Sequence, residues 1–263
     1  MTEALTPLDR AFAAMDAAPD DDGLRLRFYE RLADAELFLL LTEEPDGDAV
    51  TPQIFPVDDQ EFALVFDRED RLAEFSAGVA ALAVLSGRNL AAMLAGQGIG
   101  MAVNLGAPSS ILIPGDAVDW LSETLAAGPE EVEELPEEFA PPVGLPEAVI
   151  ASLDTKLAMA GGLARMAYLC AVTYRGGRVS HILAIVDPVP GAEPALAQAV
   201  GEALTFSGIE AGVIDVGFFK ASDPNCAKLA RVGLRFDLPV AEVSGTVPGA
   251  MPGMDPDKPP RLR

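Results

Sequence analysis

LSGRNLAAMLAGQGIGMAVNLGAPSSILIPGDAVDWL, residues 85–121, decides the fold of this chain. Ser86 stands where a helix cap is needed, because its hydroxyl can accept one of the free N–H groups of a first turn. The helix that follows meets Gly96, Gly98 and Gly100, and glycine readily takes the left-handed conformation that ends helices. The rest of the run reads as a buried strand, a turn and a second short strand. It ends in a helix with Val118, Leu121 and Leu125 on one face.

Working outward, the same alternation continues. Leu5, Leu8, Phe12 and Met15 form one helical stripe, and a second helix runs through Leu24, Phe28 and Leu32 after the break at Asp20 to Gly23. Strands are expected at Leu37–Leu41, Gln53–Val57, Phe62–Phe66 and Leu82–Leu85, with a turn at Asp46-Gly47 and a helix near Arg68–Ser76. Gly128 to Pro146 holds five prolines and six glutamates, which block helix and stiffen the chain by repulsion. It reads as a linker, with Phe139 pinned to a surface. The second half gives helix, strand, strand, helix, strand, helix, strand. Its strands Arg165–Tyr174 and Arg178–Asp187 meet at Gly176-Gly177, a two-glycine hairpin signal. The expected fold is α/β (α+β): two mixed-sheet domains, 1–127 and 147–239, joined by the acidic Pro-rich linker 128–146 and followed by a Pro/Gly-rich tail, 240–263.

Ser86-Gly87-Arg88, Gly98-Ile99-Gly100, Asn104 with Gly106, and Pro114 together resemble the N-terminal domain of the SseB family, the bacterial "enhanced serine sensitivity" proteins. The family carries Asn-Pro-Gly where this chain has Asn104-Leu105-Gly106. The element order of 147–239 resembles the C-terminal domain of longer members. The resemblance implies a link to serine tolerance, which is a phenotype rather than a reaction. It marks Ser86, Gly87, Arg88, Asn104 and Gly106 as candidate binding residues.

Charge narrows the classes of partner. The chain carries −23, and residues 1–127 hold 23 acids against 7 arginines and no lysine. Nucleic acid and anionic lipid both require clustered Lys and Arg, so neither is expected as a partner. A soluble, self-repelling surface accounts for the acids, and a basic protein or small molecule is the partner class they favour. A second copy of the chain also stays open as a partner. The N-terminus lacks a basic and apolar leader, and two cysteines make no disulfide framework, so a cytoplasmic location is expected.

Chemistry is thinly represented. Gly96-Gln97-Gly98-Ile99-Gly100 follows a helix and precedes a strand, the reverse of a phosphate-binding order, and reads as a helix cap. His181, the single histidine, shares a strand face with Leu183 and Ile185 and reads as a packed ring. Cys170 lies within a hydrophobic strand and reads as core. Cys226 is the candidate reactive thiol, because Pro224 begins a helix whose N-terminal dipole would favour thiolate. Arg88, the one base between Leu72 and Thr155 against twelve acids, reads as an ion pair, with Asp116 or Asp119 as partners, or as an anion-recognition point. No metal-ligand spacing and no cofactor motif is present, and none is expected. The leading expectation is a non-enzymatic binding or regulatory protein. Its rivals are an enzyme using Cys226 or the Arg88 region, and a self-assembling protein whose acidic and near-neutral halves dock in a salt-sensitive way.

Overall fold

The computed structural model of the chain describes residues 4–44, 50–128, 134–208 and 214–239. Two mixed sheets, each with helices on both faces, account for the α/β class. The first half runs α1 (Pro7–Ala17), α2 (Asp22–Asp34), β1 (Glu36–Leu40), β2 (Ile54–Val57), β3 (Gln60–Phe66), α3 (Glu69–Phe75), β4 (Leu82–Ser86), α4 (Gly87–Leu94), β5 (Ile99–Val103), β6 (Ile111–Ile113) and α5 (Gly115–Ala126). The second runs β7 (Pro136–Ala140), α6 (Glu147–Met159), β8 (Met166–Tyr174), β9 (Val179–Val186), α7 (Glu193–Phe206), β10 (Ile214–Phe219), α8 (Pro224–Val232) and β11 (Leu234–Asp237).

Local chemistry sets the helix ends. Thr6 and Asp9 form a reciprocal cap on α1, and Asp21 accepts the N–H groups of Gly23 and Leu24 on α2. Pro224 sits in the first turn of α8 behind Asp223, which caps Asn225. The glycine pair at the β8–β9 hairpin takes φ of 123° and 87°, as a tight turn demands.

The first sheet has the order β4-β1-β3-β5-β6, with β2 also on β3. Strand β5 is parallel to β3, and the other pairs are antiparallel. Side chains alternate across it. Leu37, Leu39, Ala63, Val65, Met101 and Val103 point into a core closed by Leu8, Phe28, Leu32, Leu90, Leu94, Val118 and Leu121 of the helices. The opposite face carries Phe38, Leu40, Phe62, Leu64, Phe66 and Ala102, over which α3 lays Leu72. In the second sheet, β10-β9-β8-β11, helices α6 and α7 cover one face, and α8 with Phe139 of β7 covers the other.

Strand β7 departs from the linker that its composition suggests. Pro136–Ala140 lies inside the stretch read as a linker, yet it pairs antiparallel with Ala171–Tyr174 of β8. Phe139 is buried against Tyr168, Val172 and Leu229, so it is part of a core rather than resting on a surface. The Asp46-Gly47 turn, residues 129–133 and the tail 240–263 lie outside the described residues.

The halves share packing. Phe206, from the last turn of α7, is 2% exposed and sits in the core of the first half. Its ring meets Trp120 of α5 edge-on at 6.3 Å, and Trp120 meets Tyr29 of α2 at 5.3 Å.

Candidate functional site

Ser86, Gly87 and Arg88 form the junction of β4 and α4. The Ser86 hydroxyl accepts the Asn89 N–H at 3.3 Å. Gly87 has a steric reason to be glycine: a Cβ there would lie 1.8 Å from the Leu32 carbonyl oxygen. That close approach seats the first turn of α4 on the end of α2, beside Asp34. Arg88 accordingly donates to Glu202 of α7 at 2.8 and 3.0 Å and to Asp34 at 3.3 Å. Its expected partners Asp116 and Asp119 are corrected by this geometry. Asp119 lies at the other end of α4, where it accepts the Gly96 N–H at 2.8 Å.

Lys156 of α6 completes this cluster. Its Nζ lies 2.6 Å from Asp34, 3.2 Å from Glu202 and 3.9 Å from Glu30. Ser152 donates to Glu30 at 3.4 Å. Burial pushes the Glu30 carboxyl above its ordinary value, although Lys156 and Arg31 oppose the shift. Burial would also raise Glu202, but its bonds to Arg88 and Lys156 hold it below the usual range. The surface bases Arg178 and Arg235 are paired, Arg178 in part with the acidic stretch 128–146. Arg178 engages Glu134 and Asp215, and Arg235 engages Asp237.

Asn104 and Gly106 belong to a different network. Asn104 is fully buried at φ 53°, a conformation asparagine tolerates better than most residues. Its Oδ1 accepts the Asp67 N–H at 3.0 Å, and its Nδ2 donates to the Ser109 hydroxyl at 3.2 Å. Ser109 donates to Asp9 at 2.6 Å, and Arg71 clamps Asp9 with two bonds of 2.8 Å while also reaching Asp67 at 2.7 Å. Burial would raise Asp9, but Arg71, Ser109 and the Thr6 N–H hold it well below the carboxylate range. Gly106 takes φ 88° in the turn that follows. Both ends of the Asn104 amide are thus committed to holding loops together.

Cys226 stands in the first turn of α8, as expected, but the field there is unfavourable to thiolate. Burial raises its pKa first, and Asp223 and Asp187 raise it further. Its Sγ faces the Lys220 carbonyl at 3.2 Å. Cys170 is fully buried, and burial pushes its thiol up to about 11. A ring nitrogen of His181 meets the Val143 carbonyl at 3.1 Å. Among the described residues, no group of three His, Cys, Asp or Glu could hold a metal ion. No helix there is long and apolar enough to cross a membrane.

What remains open is the α3 side of the first sheet and its β4 edge. Val84 is 47% exposed, Phe55 42%, Phe75 40% and Leu112 40%, on a protein otherwise dominated by surface acids. A cleft beside Phe38 is lined by Asp67, Arg68, Glu69, Asp70 and Ala73. Strand β4 is expected from the sequence, but no role for this face is. The available signal was the alternation of Leu82 and Val84 on a strand with no charged residue.

Residues 8–120 match the family model described as the SseB protein N-terminal domain, so this part of the chain is similar to that domain. No curated protein and no solved structure matches the chain.

Proposed function

We propose that this chain, with its SseB-like N-terminal domain, is a non-enzymatic binding or regulatory protein of the cytoplasm that acts through the α3 side of its first sheet. The observation that carries the reading is the apolar face around Phe38, Val84 and Phe75, left exposed beside the exposed carboxylates of Glu36, Glu69 and Glu74. The residues suggested for chemistry support it from the other side: Arg88 is held by two carboxylates and Cys226 is biased towards the thiol. Residues 147–239 act as an SseB-like C-terminal domain that buttresses the first through Phe206 and Lys156. The link to serine sensitivity follows from the family resemblance.

Growth tests the reading. Overproduction of the full chain in a bacterial host should shift the concentration of L-serine that inhibits growth. Cys226→Ser should reproduce that shift in full. Loss of the shift in Cys226→Ser, with the protein still folded and abundant, would turn the assignment to an enzyme. No shift with the wild-type chain would remove the serine link.

A further inference from the structure

Strand β4 ends the first sheet, and its chemistry is unusual for an edge. In the register Phe38↔Val84, the Leu41 N–H bonds the Ala81 carbonyl and the Gly87 N–H bonds the Ala35 carbonyl. The hydrogen-bonded pairs of this ladder are therefore the odd-numbered residues of β4, and Leu82 and Val84 direct their N–H and C=O groups outward. Exposed edges are normally blunted by charge, proline or a bulge. Residues 75–87 contain no charged residue and no proline. The charges lie around the edge instead: Glu36, Glu69 and Glu74 are exposed and enter no ion pair with another described residue. Glu36 shares the sheet face of Phe38 by strand alternation, and Glu69 and Glu74 belong to α3 on that same face.

We propose that the β4 edge is a strand-addition site for an extended, lysine- or arginine-bearing segment of a partner protein. The segment pairs its backbone with Leu82 and Val84. Its alternate apolar side chains continue the surface of Val84, Phe38 and Phe75, and its flanking cations meet Glu36, Glu69 and Glu74. Main-chain bonds supply the attachment, and side chains supply the choice of partner. A second copy of this chain fits less well, because each copy carries −23 and would set acid against acid. The inference rests on the binding function proposed above and names its partner class.

The test uses the full-length chain and a labelled eight-residue peptide of alternating valine and threonine with lysine at both ends. A twin peptide carries glutamate in place of lysine. Fluorescence anisotropy should show the lysine peptide binding at least tenfold more tightly than its twin, and more weakly as salt rises. Val84→Pro removes one outward N–H while leaving the β1 ladder intact, and should weaken binding at least tenfold. Val84→Lys keeps the amide and adds a repelling charge, so it should weaken the lysine peptide too, even if the proline variant fails to fold. Glu36→Gln with Glu74→Gln should cost about threefold or more. Equal binding of the two peptides, no binding, or binding untouched by both Val84 variants overturns the proposal. So does a dimer seen by sedimentation that Val84→Lys dissolves. The serine growth response does not depend on these peptides, so either result can fail without the other.

Discussion

The Lys156 ammonium lies 2.6 Å from the Asp34 carboxylate across the boundary between the two halves, with side chains only 5% and 9% exposed. An ion pair withdrawn from water contributes little when intact but is expensive to break, because the remaining charge stays desolvated. Lys156→Met should therefore destabilise the protein by about 3–5 kcal/mol, since it leaves Asp34 and Glu202 without that cation. Urea unfolding of wild type and variant measures the difference. A loss below about 1 kcal/mol would mean that water already reaches the cluster.

The same burial bears on salt. A surface docking of opposite charges would fade with ionic strength, whereas the side chains of Lys156, Asp34 and Glu202 are buried away from counterions. The gap between wild type and Lys156→Met should stay constant from low to high sodium chloride. A gap that collapses in high salt would restore the salt-sensitive contact expected from the charge asymmetry of the sequence.

Two buried carboxyls should respond to pH in opposite senses. Glu30 is raised above its ordinary 4.5 by burial, so its ionised form opposes folding at neutral pH, and that penalty shrinks as pH falls towards 4.5. Asp9 is lowered from 3.8 despite burial, so it contributes stability at neutral pH that is lost progressively below 3.8. Glu30→Gln should stabilise at pH 7 and gain less at pH 5, and Asp9→Asn should destabilise at pH 7 and lose less below pH 3. Chemical unfolding across this range checks both signs, and a Glu30→Gln variant weaker than wild type at pH 7 would contradict the first.

Much of the architecture is legible because its signals are local. Ser86 caps α4 and Gly176-Gly177 closes β8–β9, each through the conformation its own residue type prefers. Strand β7 is hidden because Pro136-Glu137-Glu138 gives it the composition of a linker, and only Phe139 reports the core beneath. The partner of Arg88 is hidden for another reason. Glu202 lies 114 residues away, and nothing in either local sequence encodes that meeting, which depends on how two helices of one half seat on α7. The β4 edge is half visible: alternation gives the strand, but only the sheet order shows that no further strand among the described residues pairs with it.

Cys226 offers a direct reading of local electrostatics. Burial and the carboxylates of Asp223 and Asp187 disfavour its thiolate, and these effects oppose the dipole of α8. At pH 7 it should react with iodoacetamide more slowly than a free model thiol, and Cys170 should react only after unfolding. Mass spectrometry of the labelled peptides separates the two. Tenfold faster labelling of Cys226 would revive the enzymatic alternative.

Asn104 tests whether a family-pattern residue is structural here. Its amide joins the Asp67 backbone to Ser109, and Ser109 in turn holds the Asp9 carboxylate that Arg71 clamps. Asn104→Ala would leave the part-buried Asp67 N–H unanswered and force alanine to φ 53°. Together these should cost about 2–4 kcal/mol, from one unsatisfied part-buried donor and a strained backbone. Asn104→Gly relieves the backbone but not the lost bonds, so it should recover about 1 kcal/mol of that loss. Neither change touches the β4 edge, which lies on the far side of β1 from this loop in the sheet order. The expected outcome is lower unfolding midpoints with peptide affinity unchanged below the midpoint. Unchanged stability with lost affinity would instead make Asn104 a binding residue.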